Sequence, residues 1–468
     1  MKRRKFIKSS ALVSAASAAI VPSTVFGSLG HIPPSEKVNL ACCGIGHRGG
    51  EITKKLFKTG LANIVAICDV DMGAEHTLEV MEMFPDVPRF KDFREMFDKM
   101  GDQIEAVSVG TPDFSHFPIT MLAMFYGKHI YVEKPMARTF NEVELMTQAA
   151  KKHGVVTQMG NQGHSEANYF QFKAWVDAGV IKDVTKVVAH MNNPRRWHKW
   201  DPKMMSFPAG EALPSTMDWD TWLGTAKYRD YNKDYHHGQW RCWYDFGMGA
   251  LGDWGAHTMD TAHEFLDLGL PYEVTPEYLK DHNPFFFPMS TTLSFKFPER
   301  GSMPPVELKW YDGLDNQPPL PKDYGESKLD PNIPPPSAGE IAKKKLNPGK
   351  IIYGKDLTFK GGSHGSTLDI VGLQAANDMA SSLPDVMDSP SNHFENFLKA
   401  CKGEEKSRSP FEVAGPLSQV FALGVLAQRL NTKLMFDRET KRITNNPLAD
   451  LMLEGAPPRK GWEQFYNL

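Results

Sequence analysis

Short apolar runs alternate with longer amphipathic stretches through the first third of the chain. The apolar runs contain many β-branched residues and end at a glycine, aspartate or proline, which is typical of buried strands. They read KVNLACC, NIVAICD, IEAVSVG and HIYVEKP. The stretches between them, such as EITKKLFKTG and PITMLAMFYGK, have apolar residues at helical spacing. This alternation predicts an α/β fold with a parallel sheet, whose ligand binds at the carboxyl ends of the strands.

A glycine-rich turn, GIGHRGG, follows the first of these strands and precedes the first helix. Gly44, Gly46 and Gly49 match the spacing G-x-G-x-x-G in the strand–turn–helix context that dinucleotide binding requires. In that order, the glycines permit the tight turn, the approach of the backbone to a pyrophosphate and close packing of helix on strand. The alternative is a glycine-rich turn in some other α/β fold.

The second strand ends in Asp69, whose carboxylate can accept both ribose hydroxyls of a dinucleotide. The same carboxylate repels a 2′-phosphate, and no arginine follows it directly. The sequence therefore favours NAD over NADP as the cofactor.

Polar residues at the ends of the third and fourth strands complete the predicted cofactor site. Lys134 lies where a nicotinamide pocket can desolvate it, and His116 either faces the cofactor or caps the following helix. The residues predicted to hold the cofactor are Gly44, Ile45, Gly46, Arg48, Gly49, Asp69, Thr111, Pro112, His116, Glu133, Lys134, Asn161 and Gln162.

The stretch GALGDWGAHTMD contains the candidate acid/base pair, Asp253 and His257. The glycines suggest a loop, which places Asp253 at the N-cap or in the first turn of a helix. Residues four apart share one helix face, so the pair can point into one pocket. The alternative is that Asp253 only caps the helix and His257 is a satisfied core histidine.

A metal site built from Asp253, His257, His263 and Glu264 is the other interpretation of this helix. His263 falls on a different side of the helix from His257, and no H-x-x-x-H or cysteine pair supports it. No metal is therefore predicted.

The motifs GIGHRG, ICDVD, GTPDFSH, VEKPMA and GALGDWGAH, in this order, resemble the glucose–fructose oxidoreductase / inositol dehydrogenase (Gfo/Idh/MocA) family. The resemblance extends from about Val38 to the C-terminus. It implies a Rossmann NAD-binding domain over residues 36–160. A C-terminal α/β domain with a large, mostly antiparallel open sheet follows over residues 161–468. In this family that sheet forms the subunit interface, so a homodimer or homotetramer is expected.

The resemblance also assigns roles to residues. Lys134 matches the catalytic lysine, and Asp253 and His257 match the D-x-x-x-H pair. His257 is suited to take the hydroxyl proton, Lys134 to stabilise the developing alkoxide, and Asp253 to orient a hydroxyl and the imidazole tautomer. Whether Lys134 or His257 is the base stays open.

Two segments depart from the short members of the family: a Pro- and Lys-rich insertion at about 312–350, and YGKDLTFKGGSH at 353–364. Either could reshape the substrate pocket. The tryptophans between Trp197 and Trp254 form either a sugar-stacking surface or core and interface packing. Arg195, Trp197 and Trp254 are the weaker candidates for substrate binding.

Charge and the N-terminus narrow the choice of partners. The formal net charge is −3 and no long basic run follows residue 8, so nucleic acid is not an expected partner. The basic start MKRRKFIK precedes an apolar stretch too short to span a bilayer. Residues 1–27 are therefore interpreted as a secretory signal, of the twin-arginine type if Arg3-Arg4 is read so and of the ordinary Sec type otherwise. We expect an exported, periplasmic protein with no membrane span after signal removal.

Export changes the functional prediction. The five cysteines are too few for a disulfide-dependent domain and are interpreted as buried thiols. Free NAD is not expected outside the cytosol, so the cofactor should be tightly bound and reoxidised in place. The predicted function is oxidation of a secondary hydroxyl of a sugar or glycoside, for example at C3. The alternatives are redox-neutral, NAD-dependent glycoside cleavage, and a non-catalytic nucleotide or sugar sensor.

Overall fold

A computed structural model describes residues 34–191, 201–236, 238–325 and 346–467. Contacts divide the chain into two units, Met1–Lys37 and Val38–Leu468. In the first unit the described part contains a single 3-10 turn, Pro34–Glu36. The predicted signal segment, residues 1–27, lies outside the described residues. So do Arg195, Trp197 and residues 326–345 of the Pro- and Lys-rich insertion.

The first sheet of the larger unit has six parallel strands in the order β3-β2-β1-β4-β5-β6. The strand order reverses between β1 and β4, which is where dinucleotides bind in this topology. The four apolar runs form β1, β2, β4 and β5, and the sheet also contains the short strands β3 and β6. The strands are β1 Val38–Cys43, β2 Ala62–Cys68, β3 Arg89–Phe90, β4 Ala106–Val109, β5 His129–Val132 and β6 Thr157–Met159.

Five helices connect these strands. The longest starts with a capping box between Thr139 and Glu142 and ends at Gly154 in the left-handed conformation. Both features satisfy backbone groups that a helix end would otherwise leave without partners. The helices are α1 His47–Lys58, α2 Glu75–Met83, α3 Phe93–Met100, α4 His116–Phe125 and α5 Phe140–His153.

The second sheet has nine strands in the order β13-β12-β11-β7-β10-β9-β8-β14-β15. Among the described strands, β10 and β7 are the parallel pair and the other pairs are antiparallel, which confirms the expected mostly antiparallel sheet. Alternate residues of β10 are buried, as expected for a sheet with one face against the core. The strands are β7 Lys186–Met191, β8 Glu273–Lys280, β9 Ser290–Phe297, β10 Val306–Asp312, β11 Gly349–Tyr353, β12 Thr358–Gly362, β13 Leu368–Ile370, β14 Leu434–Asp437 and β15 Arg442–Ile443.

The helices of this second half include α12, a long and almost entirely buried helix that packs against α5, α8 and β8. None of the helices in the described part of the chain is long and apolar enough to cross a membrane. They are α6 Ala167–Asp177, α7 Trp219–Leu223, α8 Gly249–Thr258, α9 Asp260–Phe265, α10 Leu373–Met379, α11 His393–Cys401, α12 Phe411–Leu430 and α13 Pro447–Met452.

The start of α8 corrects one prediction. The helix begins at Gly249, so Asp253 lies inside it and is not its cap, and a second helix, α9, begins at Asp260. A Cβ on Gly252 would lie 2.3 Å from Cβ of Met248, and one on Gly255 would lie 2.7 Å from Cε1 of Phe421. The glycines therefore permit close helix packing, which overrides their poor helix propensity.

A long segment between β7 and β8, residues 201–236 and 238–247, is called here the aromatic excursion. Its tryptophans form a core of their own together with Phe114 and Phe286, with Trp219 stacked on Trp222 at 4.4 Å between ring centroids. Trp219, Trp222, Trp240 and Trp243 pack in this core, and Trp222 and Trp240 also line a cavity. All five cysteines are free thiols and four of them are buried, which agrees with the prediction.

Candidate active site

The glycine turn after β1 forms a tight cradle. Gly44 has φ +77°, and a Cβ on Gly49 would lie 2.1 Å from the carbonyl oxygen of Gly44. Only glycine fits at either position. At Gly46 a Cβ would lie 2.2 Å from Cδ2 of His76, so a side chain of this protein already packs against that glycine.

Asp69 follows β2 and supports the cradle from below. One carboxylate oxygen accepts a hydrogen bond from N–H of Ile45 at 2.8 Å, and the other accepts one from N–H of Asp71 at 3.0 Å. Each oxygen can accept a further bond. The carboxylate borders a cavity and is therefore placed to receive ribose hydroxyls.

This cavity has a volume of about 360 Å³ and lies between the glycine turn and the aromatic excursion. Its walls include Gly44, Gly46, His47, Arg48, Asp69, Thr111, Pro112, Glu133 and Lys134 from the parallel-sheet half, and Trp222, His236, Trp240, Arg241 and Trp462 from the other half. Oγ1 of Thr111 is buried and has no hydrogen-bond partner among the described residues. A glycine cradle, a ribose-type carboxylate and an unsatisfied hydroxyl together fit a dinucleotide.

On the Asp69 side of this cavity the excursion is hydrogen-bonded to the loops of the parallel-sheet half, and the C-terminal tail is hydrogen-bonded to the excursion. N–H of Asp218 donates to the carbonyl of Val70 at 2.7 Å, and Nζ of Lys91 donates to the carbonyl of Thr216 at 2.5 Å. Arg459 in the tail donates to the carbonyl of Gly224 at 3.0 Å. These bonds make the second half of the chain a cover over the cavity.

Lys134 and Asp253 form the central ion pair. Nζ of Lys134 donates to Oδ1 of Asp253 at 2.6 Å and to its backbone carbonyl at 3.0 Å, and both side chains are largely buried. An ammonium has three N–H bonds, so one is left for another acceptor. Lys134 belongs to the cavity wall, so that acceptor can be a bound substrate.

His257 lies one helical turn beyond Asp253 and is buried behind the cavity wall. Burial, and after it the charge of Lys134, hold the pKa of His257 well below 6.5. The imidazole is therefore neutral at pH 7 and able to accept a proton. Its Nδ1 has no hydrogen-bond partner in the described part of the chain. The hydrogen bonds described above link Asp253 to Lys134, and the role of Asp253 toward the imidazole of His257 stays a prediction.

His364 is the residue of this site that sequence reasoning missed. The ring of His364 stacks on that of His257, with centroids 4.0 Å apart and planes 14° apart. The backbone N–H of His364 also donates to the backbone carbonyl of His257 at 2.8 Å. Trp254 packs edge-on against both rings. The distinctive stretch 353–364 was the available signal, and it does reach the acid/base helix.

Asp113, which sequence reasoning also missed, and Arg241 lie at the cavity. Burial raises the pKa of Asp113 to about 7, although the charge of Arg241 opposes this, and the carboxyl accepts a hydrogen bond from N–H of Met248 at 3.1 Å. Nε of Arg241 is 3.6 Å from Oδ1 of Asp253. Asp113 and Arg241, from two different loops, therefore lie close to the Lys134–Asp253 pair.

His116 does not occupy either predicted place. Its ring nitrogens lie 2.8 Å from the carbonyl oxygens of Pro135 and Thr111, and burial lowers its pKa to about 4. The ring thus lies between the loops that follow β4 and β5. It neither lines the cavity nor caps α4.

Asn161 and Gln162 lie at the junction of the two sheets. Nε2 of Gln162 donates to Oε1 of Glu133 at 3.3 Å, and Arg48 lies 3.5 Å from the same carboxylate oxygen. Oδ1 of Asn161 is buried without a hydrogen-bond partner among the residues that the structure describes. Glu133 therefore links the cradle helix to the domain junction.

Next to this junction His164 is clamped between two carboxylates. Its Nδ1 lies 3.0 Å from Oδ2 of Asp260 and its Nε2 lies 2.5 Å from Oε2 of Glu264. Burial alone would lower the pKa of His164, but the two carboxylates outweigh burial and raise the pKa to about 9. Glu264 is thus committed to His164, and His263 bonds to the carbonyl of Gly269. Two of the four residues that the sequence analysis considered as metal ligands, His263 and Glu264, are thus bonded to other groups.

Replacing His164 by glutamine should reduce the free energy of unfolding in a pH-dependent way. Between about pH 6.5 and about pH 9 the native His164 holds a proton that the unfolded chain releases, so its contribution falls as the pH rises. We expect about 3 kcal/mol from this pKa shift, fully present below about pH 6.5 and lost through about pH 9. Urea unfolding of both proteins at pH 6 to 10 measures the difference. A pH-independent difference between wild type and His164→Gln would contradict the assignment.

Comparison with known proteins agrees with this architecture. Residues 38–161 match the model of the Gfo/Idh/MocA oxidoreductase family with an NAD-binding Rossmann fold, and residues 166–282 match the C-terminal α/β domain of the same family. Together the matches cover just over half of the chain. The chain therefore belongs to the Gfo/Idh/MocA oxidoreductase family.

Two curated relatives align over part of their length. Scyllo-inositol 2-dehydrogenase (NADP(+)) of Bacillus subtilis is 29% identical over 128 residues, which is 26% of this chain and 35% of the relative. Alpha-N-acetylgalactosaminidase of Shewanella oneidensis is 29% identical over 188 residues, which is 35% of this chain and 40% of the relative. The alignments span less than half of either relative.

Solved structures share the fold at low sequence identity. The WlbA dehydrogenase of Chromobacterium violaceum, solved with NADH and UDP-GlcNAcA, has a TM-score of 0.56 at 16% identity and covers 87% of this chain and 98% of its own. Aldose–aldose oxidoreductase of Caulobacter crescentus has a TM-score of 0.54 at 17% identity and covers 86% of this chain and all of its own. These likenesses support the fold.

Proposed function

We propose that this protein oxidises a secondary hydroxyl of a sugar or glycoside with a tightly held NAD. The observation that carries the proposal is the ammonium of Lys134, which lies in the wall of the dinucleotide-type cavity with its Nζ 2.6 Å from Oδ1 of Asp253. A cation fixed by a buried carboxylate is preorganised to stabilise an oxygen that gains negative charge.

The chain supplies proton transfer and charge stabilisation to this reaction. A bound NAD would supply the hydride acceptor for the carbinol carbon. Lys134 donates its remaining N–H to the hydroxyl oxygen, and Asp253 keeps the ammonium in place. Neutral His257 is the acceptor available for the hydroxyl proton at pH 7, since its pKa is well below 6.5.

The choice of NAD over NADP rests on Asp69. Its carboxylate faces the cavity and is anchored by the two backbone N–H groups of Ile45 and Asp71. A fixed negative charge at this position favours ribose hydroxyls and repels a 2′-phosphate. NADP binding as tight as NAD binding would contradict this part of the proposal.

Tight retention of the cofactor is supported by the cover over the cavity. Hydrogen bonds from Asp218, Lys91 and Arg459 hold the excursion and the tail against the Asp69 side. Release of a dinucleotide requires this cover to open, which slows dissociation. Tight retention fits export of the folded, loaded protein to the periplasm, and the nine-stranded sheet is the proposed interface of a homo-oligomer.

Redox-neutral glycoside cleavage is the second candidate, favoured by the partial similarity to the Shewanella α-N-acetylgalactosaminidase. In that reaction the hydride returns to the same sugar after elimination and addition of water. A non-catalytic sensor is disfavoured because Lys134, Asp253 and His257 are all present and placed together.

Release of the bound nucleotide followed by product analysis tests the proposal. The purified mature protein is dialysed and denatured, and the supernatant is analysed by mass spectrometry for NAD and NADP. Native protein is then incubated with a panel of glucosides and galactosides while cofactor fluorescence is followed. Conversion of bound NAD to NADH, with a product lighter by two hydrogen atoms, supports the dehydrogenase. Free sugar without net change in NAD supports the glycosidase, and protein that carries no nucleotide and needs high added NAD contradicts tight binding.

A further inference from the structure

Three metal-ligand side chains converge at the edge of the cavity, away from Lys134. Oδ2 of Asp71 lies 3.8 Å from Nε2 of His76 and 3.8 Å from Nε2 of His236. One ligand atom of each residue lies within 4.8 Å of the others. No role in the reaction described above uses these residues.

The cluster is built into the fold and is not a surface accident. Asp71 is 3% exposed, and its other carboxylate oxygen accepts a hydrogen bond from Oγ1 of Thr216 at 2.5 Å, which aims Oδ2 at the two imidazoles. His76, in the first turn of α2, packs on Gly46 and stacks on His47 with centroids 5.2 Å apart. His236, in the aromatic excursion, is 7% exposed.

The distances distinguish two kinds of cluster. A separation of 3.8 Å is too long for a direct hydrogen bond between carboxylate and imidazole. Metal–nitrogen and metal–oxygen bonds of about 2.1 Å place two ligand atoms about 3.4–3.8 Å apart at tetrahedral to slightly wider angles. The two carboxylate–imidazole separations are therefore those of ligands around one ion, and the three ligand atoms all lie within 4.8 Å of one another.

We propose that Asp71, His76 and His236 bind a divalent transition-metal ion of the zinc type. Two imidazoles and one carboxylate form a ligand set that such ions prefer and that Mg²⁺ and Ca²⁺ do not. A fourth position remains for water or for an oxygen of a bound molecule.

The position of the cluster gives the ion a structural consequence. Asp71 and His76 belong to the parallel-sheet half, whereas His236 belongs to the excursion that covers the cavity. One ion bound by all three fastens the cover to the dinucleotide domain. Slower cofactor release on metal binding follows only if the proposed function holds, whereas metal binding itself does not depend on that function.

Titration with Co²⁺ tests the site on untagged mature protein. The protein is stripped with a chelator, and Co²⁺ binding is followed by visible absorption and by the midpoint of thermal unfolding. Wild type should bind one Co²⁺ per chain at this site, with bands typical of nitrogen and oxygen ligation, and should unfold at a higher temperature with the metal. Asp71→Asn and His236→Gln should each weaken binding by about a hundredfold and abolish the thermal shift.

Controls separate this site from other histidines and from a misfolded variant. His282→Gln, which removes a half-buried histidine elsewhere, should bind Co²⁺ as wild type does. Circular dichroism checks that each variant is folded. Because the two variants lie in different segments, the test can still be made if one of them does not fold. Equal Co²⁺ binding by wild type and both variants would overturn the proposal. So would an unfolding midpoint of wild type that changes with pH but not with Co²⁺. Because the readouts are absorption and unfolding, the metal-binding result does not depend on whether the protein oxidises a sugar.

Discussion

Replacing Lys134 by methionine is expected to lower kcat for sugar oxidation by about a thousandfold. Methionine keeps most of the side-chain volume but removes the ammonium, so no donor remains at the substrate oxygen. The rate of NADH appearance in single turnover, with the substrate identified from the panel above, measures the loss. Nucleotide released on denaturation should equal that of wild type, which separates catalysis from cofactor binding.

Lys134→Arg is the matched comparison. It keeps the positive charge but replaces a point donor by a larger planar group, so we expect partial activity between wild type and methionine. Lys173→Met removes an exposed lysine paired with Asp177 on α6 and should change nothing. A fall of less than about tenfold in Lys134→Met would show that the ammonium does not act on the reacting oxygen.

Stability must be measured beside activity in the Lys134 variants. Methionine leaves Asp253 buried without its ammonium partner, and breaking a buried pair costs about 3–5 kcal/mol. Arg241, whose Nε is 3.6 Å from the carboxylate, offsets part of this cost. Activity should therefore be assayed well below the midpoint temperature of unfolding of each variant, where a lower rate reflects lost catalysis and not unfolding.

Replacing His257 by asparagine is expected to lower kcat by about a hundredfold or more and to change its pH dependence. Protonation of His257 removes the base, and its pKa lies well below 6.5, so wild-type kcat should stay level through pH 6.5 and fall only in more acidic solution. The variant should lose this acidic fall. Initial rates from pH 5 to pH 9 measure both effects.

The comparison variants for His257 address its surroundings. His282→Asn lies away from the site and should keep the wild-type profile. His364→Asn removes only the stacked ring, so we expect a smaller loss of kcat than in His257→Asn. Retention of the acidic fall in His257→Asn would make Asp113 the group that titrates, and the base would then have to be reassigned.

Much of the dinucleotide half could be predicted from the sequence. The four apolar runs form strands β1, β2, β4 and β5, and Gly44 and Gly49 make the turn and the close packing expected of them. Strand period and the steric demands of glycine are local properties, so a single sequence displays them. The family resemblance added the mostly antiparallel second sheet.

The errors occurred where tertiary packing outweighs local preference. Glycines 247, 249 and 252 suggested a loop, yet Gly249 and Gly252 lie in α8, where a Cβ would collide with Phe287 and Met248. His116 was expected at the cofactor or as a cap, but two carbonyl oxygens on strand-end loops hold its ring. Neither outcome is visible in the spacing of residues along the chain.

By itself the sequence determined strands β1, β2, β4 and β5, helices α1 and α4, the glycine cradle and the i, i+4 relation of Asp253 to His257. Only the tertiary structure decided that Asp253 bonds to Lys134, that His364 stacks on His257, and that Asp71, His76 and His236 meet. The physical reason is sequence separation. Side chains 100 or more residues apart, such as Lys134 and Asp253, are brought together by packing of whole elements. Local periodicity carries no record of which distant loops a folded core places side by side.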